Sequence, residues 1–212
     1  ANWPASLYAT YLASDGKTYA CTATLVGPSA VLTAAHCIPS SRQISFAFKD
    51  DTFRADCVMH EDYLTQKDDS ADYALCEITN SNRGMTSITM IGSERFETID
   101  QTPMDEYVTP GSSTNTITLT GFGCTSDTVG LGRPDGEYRS GGKRFVESSY
   151  TNTLDYGPQY YLPEERNNLI TSDANDVANI CPGDSGGAAF TAPGKGRKVV
   201  GVNSRVFYTN RS

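Results

Sequence analysis

Residues 181 to 187 read Cys-Pro-Gly-Asp-Ser-Gly-Gly, and this stretch constrains the chain more than any other. Glycines on both sides of Ser185 free the backbone to turn closely around it. A serine set in such a loop can lie beside its own main-chain N–H groups. An acyl carbon attacked by that serine leaves a negative oxygen, which preorganised N–H donors must meet. Gly183 and Ser185 are the expected donors.

A serine hydroxyl is a weak nucleophile until a base takes its proton, so the fold must deliver one from elsewhere. One of only two histidines, His36, sits in Thr33-Ala34-Ala35-His36-Cys37. An imidazole base needs a carboxylate to fix its tautomer and stabilise its charged form. Asp72 fits, because it opens Asp72-Tyr73-Ala74-Leu75-Cys76-Glu77-Ile78, an apolar run of strand type that places the acid at a strand's start. An ordinary glycine-rich turn would be the bland reading of Ser185 if His36 and Asp72 were missing. A lipase or esterase is disfavoured, since those use a G-x-S-x-G elbow and the order serine, acid, histidine.

The order His36, Asp72, Ser185, with TAAHC, DYAL and GDSGG, resembles the trypsin/chymotrypsin family of secreted serine proteases over nearly the whole chain. The spacings from Cys21 to His36 (15 residues) and from Ser185 to Ser204 (19 residues) also match that family. The resemblance implies that His36, Asp72 and Ser185 are catalytic. It also implies that Gly201-Val202-Asn203-Ser204 lines the substrate cleft and that Ser204 hydrogen-bonds Asp72. Asp184 would shape the oxyanion loop by accepting a buried cation. His60 corresponds to a non-catalytic histidine at a strand end. Asn179 stands where trypsin-like members carry the aspartate that holds Arg or Lys, and Val206 where a glycine would keep the pocket open. Cleavage after small or medium uncharged residues is therefore expected, with Asp173 or Asp176 as the opposing source of basic specificity.

Six cysteines in a chain that looks secreted suggest three disulfides, and the spacing does not suit a zinc site. The family bridge is Cys21–Cys37. In the fold that the resemblance implies, segments 53 to 59 and 72 to 78 run antiparallel as neighbours, which suggests Cys57–Cys76 and leaves Cys124–Cys181. The last bridge is unusual, because no cysteine follows Ser185. The net charge of −8 argues against a nucleic-acid partner. Eight carboxylates between residues 49 and 72 read as a solvated face more readily than as a calcium loop. No metal or cofactor is expected. The apolar runs are too short to span a membrane.

Short runs rich in Val, Ile, Thr, Phe and Tyr, broken by Gly, Pro, Ser, Asp and Asn, predict an all-β chain. The expected strands are 19–26, 30–33, 43–48, 53–59, 72–78, 116–121, 186–190 and 198–204. The resemblance makes these two packed six-stranded antiparallel β-barrels of chymotrypsin type with the active site in the cleft between them. The N-terminal barrel spans about 1–95, the linker about 96–115 and the C-terminal barrel about 116–212, in one peptidase domain of residues 1–212. Residues 130 to 142, with five glycines, are expected to be a surface loop.

Ala1-Asn2-Trp3-Pro4 is not the family's aliphatic-x-Gly-Gly start, so either an upstream segment is missing or Asp184 uses another cation. Ser212 follows Ser204 too closely for the family's last strand, which suggests a shortened or cleaved chain with a separate C-terminal peptide as a candidate partner. The reading is a secreted, monomeric serine endopeptidase acting on peptides or proteins through an acyl-enzyme. The alternative is a catalytically incompetent trypsin-fold binding or regulatory protein.

Overall fold

The computed structural model describes residues 3–66, 71–90, 94–101, 116–124, 137–146, 170–171, 180–191 and 196–204. Nearly every element is a strand. The first six are β1 (Ser6–Leu12), β2 (Thr18–Leu25), β3 (Ala30–Thr33), β4 (Gln43–Phe48), β5 (Asp51–Met59) and β6 (Ala74–Ser81). They close into an antiparallel barrel in the order β1-β2-β3-β6-β5-β4.

The alternation written in β5 shows why. Asp51, Phe53, Ala55 and Cys57 turn inward while Thr52, Arg54, Asp56 and Val58 turn out, as a period of two requires. A one-residue slip would reverse that set, so the apolar residues fix the register. Phe53 lies directly opposite Phe46 of β4, and the two rings stack with centroids 5.6 Å apart. Both are 2% exposed, and burying each such side chain contributes about 1.5–3 kcal/mol. Leu7, Leu25, Val31, Ile44 and Ile78 complete the interior. Cys57 and Cys76 are cross-strand partners on the same interior, joined by a disulfide with Cα atoms 3.9 Å apart.

The second half is built on a five-stranded sheet of described residues. Its strands are β7 (Thr116–Gly121), β8 (Arg139–Val146), β9 (Ile170–Thr171), β10 (Ala188–Phe190) and β11 (Val199–Val202), in the order β11-β10-β7-β8-β9. The loop expected over residues 130 to 142 is corrected at its end, because Arg139 to Gly142 belong to β8. Gly141 pairs with Leu119 and Gly142 with Thr118 of β7. Glycine-rich composition argues against side-chain packing, but a partner strand needs only the backbone N–H and C=O groups. Strands β1 and β9 also lie outside the expected set.

Besides the contacts around Ser185, two seams of described residues join the halves. Trp3 and Leu32 pack with Ala188, Phe190 and Val199. The Arg197 guanidinium lies 3.9 Å from the Trp3 ring centroid and pairs with the buried Glu97 carboxylate, accepting nothing itself and donating through Nε at 3.1 Å. The second seam is the linker. The Glu97 N–H donates to Leu25 O of the barrel (3.0 Å), the Val199 N–H donates to Thr98 O (2.8 Å), and the Asp100 N–H donates to Val199 O (2.8 Å).

Candidate active site

Strand pairing delivers His36 and Asp72 to the same place. Strands β3 and β6 are antiparallel with Thr33 opposite Ala74, so the residues just after β3 and just before β6 emerge at one end of the barrel. Ala35–Cys37 form a single 3-10 turn there, and the Cys21–Cys37 disulfide, Cα to Cα 6.3 Å, ties that turn to β2.

The Asp72 carboxylate is 1% exposed and fully engaged. Its Oδ1 accepts the His36 main-chain N–H at 2.8 Å. Its Oδ2 lies 2.6 Å from His36 Nδ1 and accepts the Ser204 hydroxyl at 2.5 Å. Burial works against the charged form, but the His36 ring, the Ser204 hydroxyl and the His36 N–H outweigh it and hold the Asp72 carboxyl below its ordinary value. An ionised carboxylate only accepts hydrogen bonds, so Nδ1 carries the proton. In the neutral ring that leaves Nε2 as a lone pair, on a side chain 32% exposed.

The loop from Cys181 to Gly187 is held chiefly through its backbone. The Gly186 N–H donates to Asn203 O (2.8 Å), the Asn203 N–H donates to Gly187 O (2.8 Å), and the Thr22 N–H of β2 donates to Ser185 O (2.7 Å). Gly186 adopts φ 84°, and a Cβ there would collide with Thr22 O and Thr33 Oγ1. Only glycine lets the loop come this close to the first barrel. The Ser185 hydroxyl donates to Ser204 O at 3.4 Å. Ser204 thus touches both Asp72 and Ser185. Among the described residues, the Gly183 and Ser185 N–H groups donate to no acceptor.

The Asp184 side chain turns away from Ser185. Its Oδ1 accepts the Gly123 N–H and its Oδ2 the Cys181 N–H, each at 2.8 Å. Gly121 and Gly123 wrap it so closely that a Cβ on either would overlap the carboxylate. The Arg139 guanidinium donates to Gly123 O at 2.8 Å, so Gly123 is held through its carbonyl by that cation and through its N–H by Asp184. Cys124 is bonded to Cys181, Cα to Cα 5.6 Å, beside the same contacts.

Sequence reasoning missed two buried polar side chains here, Thr22 and Asn203. The Asn203 amide donates to Thr120 O (2.9 Å) and Asp184 O (3.3 Å), tying the loop to β7. Thr22 and Thr24 alternate with the barrel-facing Ala23 and Leu25, so β2 reads as half-solvated, yet both threonines are 0% exposed. His60 caps the short helix α1 (Glu61–Thr65), its Nδ1 accepting the Asp62 N–H at 3.2 Å. Asn179, Val206, Asp173 and Asp176 lie outside the described residues. Among the described residues the one cluster of metal-ligating types is Cys21, His36 and Cys37, whose two sulfurs are joined in the disulfide.

Residues 2–212 match the sequence model of the Trypsin family. The chain belongs to the trypsin family. No curated protein sequence matches it. Among solved structures it is similar to GrC, with a TM-score of 0.68 at 20% identity over 97% of this chain and 85% of that one. It is also similar to the thermostable serine protease AL20 from an extremophilic microorganism, with a TM-score of 0.61 at 15% identity over 98% and 87% of the two chains. At these identities the two structures speak for the fold. Membership of the trypsin family makes this a serine-protease-type chain whose substrates are peptides or proteins. Among the described residues no helix is long and apolar enough to cross a membrane.

Proposed function

We infer that this chain is a secreted serine endopeptidase working by acyl transfer. In the attacking step the Ser185 hydroxyl leaves Ser204 O and turns to His36 Nε2. The oxygen bonds to the scissile carbonyl carbon while Nε2 takes the proton, and Asp72 stabilises the imidazolium that forms. The carbonyl oxygen becomes an anion that the Gly183 and Ser185 N–H groups receive. Collapse breaks the C–N bond, the amine leaves with the proton from His36, and a water repeats the sequence on the acyl-enzyme. Three disulfides fit an oxidising compartment outside the cytosol.

The observation that carries this reading is the shared Ser204. Its hydroxyl binds the carboxylate that holds His36, and its carbonyl receives the Ser185 hydroxyl. A module that only bound partners would not require an acid, an imidazole with a free nitrogen and uncommitted N–H donors around one serine.

The test is turnover of a peptide library together with covalent labelling by a fluorophosphonate. Ser185→Ala and His36→Ala are each expected to lower kcat/KM by about four orders of magnitude or more in a chain that still folds, Ser185→Ala at the wild-type unfolding temperature and His36→Ala at a lower one, because it leaves the buried Asp72 carboxylate without its imidazole. The label should fall on Ser185 alone. Retained peptidase activity in either variant, or an active wild-type enzyme that resists labelling, overturns the assignment. A folded but inert wild-type protein favours the binding module instead.

A further inference from the structure

We propose that the Thr22 hydroxyl is a positioning group that latches the nucleophile loop to the first barrel, a role that rests on the peptidase reading above. Thr22 lies in β2 but faces the second half. Its Oγ1 donates to Gly183 O at 2.7 Å and accepts the Phe122 N–H at 3.0 Å. Its own N–H donates to Ser185 O at 2.7 Å. One fully buried residue thus touches both residues whose N–H groups would form the oxyanion hole, together with the glycine-flanked turn that surrounds Asp184.

The other side of Thr22 faces the base. Its carbonyl accepts the Thr33 hydroxyl at 2.8 Å, and Thr33 closes the strand from which the His36 turn departs. Cys21, its neighbour, is bonded to Cys37 beside His36. The path from His36 to Gly183 is therefore a short chain of covalent and hydrogen bonds passing through Thr22. Two halves of a fold contribute the base and the nucleophile, and their mutual placement must hold to a fraction of an ångström for proton transfer. A hydroxyl serves both sides because it donates and accepts at once. Valine has the same shape and can do neither, leaving the half-buried Phe122 N–H and the buried Gly183 C=O without these partners.

Thr24 supplies a matched control. It lies two residues along the same strand and is equally buried, yet among the described residues its hydroxyl has no hydrogen-bond partner.

The experiment compares Thr22→Val, Thr22→Ser and Thr24→Val in the full chain, after wild-type turnover and labelling of Ser185 are established. Thr22→Val is expected to lower kcat about 10- to 100-fold with KM nearly unchanged. Affinity for a peptide boronate, which mimics the tetrahedral adduct, should fall in parallel with kcat. Thr22→Ser keeps the hydroxyl and should restore kcat to within about 3-fold, and Thr24→Val should leave it within about 2-fold. Wild-type kcat in Thr22→Val, no rescue by serine, or equal losses in Thr22→Val and Thr24→Val would overturn the latch. Amide exchange gives a second reading that needs no activity and survives a Thr22→Val that fails to fold. The Phe122 N–H of wild-type protein should exchange as slowly as the amides of β7, and Thr22→Ala should release it. Fast exchange in the wild-type protein refutes the latch. An inert wild-type enzyme refutes the peptidase reading, and the latch is then judged by Phe122 exchange alone.

Discussion

The first barrel and the Cys181–Gly187 loop are organised by different forces. The barrel interior is apolar and paired strand by strand, with Phe46, Phe53, Leu7 and Leu25 each at most 2% exposed. Around the loop, buried polar side chains join the apolar ones: Thr22, Thr120, Asn203 and the carboxylate of Asp72. Apolar packing is non-directional and tolerates small shifts, so it suits a scaffold that need only be stable. Hydrogen bonds are directional and costly to leave unmade, so they suit a loop proposed to aim its N–H groups at one spot. The barrel should therefore fail through stability, and the loop should fail through activity while the fold survives.

The sharpest way to break that contrast is Phe53→Ala. Losing a stacked interior ring should cost about 3–5 kcal/mol of stability, measured by denaturant titration, with kcat unchanged below the melting range. A loss of kcat in the protein that remains folded would mean that barrel packing also aims the active site.

The two bridges other than Cys21–Cys37 sharpen it further. Cys57–Cys76 closes a segment of 19 residues and Cys124–Cys181 one of 57. On chain entropy alone the longer should stabilise more, about 4 kcal/mol against about 3. If the comparison holds, removing Cys57–Cys76 by paired alanines lowers stability with turnover intact. Removing Cys124–Cys181 lowers turnover at temperatures where circular dichroism still reports a folded chain, because its sulfur anchors the residue whose N–H holds Asp184. Equal activity in both double variants would remove the distinction.

The smallest effect is confined to acid. Asp72 has its folded-state pKa lowered from the ordinary 3.8, so the unfolded chain binds its proton first as pH falls. Its contribution is complete above that ordinary value and is lost as pH drops through the lower folded-state value. Unfolding free energies of the wild type should fall over that window more steeply than those of Asp72→Asn. Parallel curves would show that Asp72 gains nothing from His36 and Ser204 on folding.

Much of this molecule was legible in its residues. The alternation in β5 and β6, the glycines around Ser185 and the TAAHC and DYAL stretches determined an all-β chain and a candidate acid, base and nucleophile, because periodicity and backbone freedom are local properties. Tertiary structure decided the rest. Nothing local marks the Gly141 and Gly142 backbone as part of β8, since its partner β7 is a separate stretch of the chain. Nothing local marks Thr22 as buried, because the alternation of β2 exposes it to the barrel's exterior, and only the second half turns that exterior into an interior. Hydrogen bonds between residues as distant as 22 and 183 exist only once both halves have folded and met, so their partners cannot be read from either segment alone.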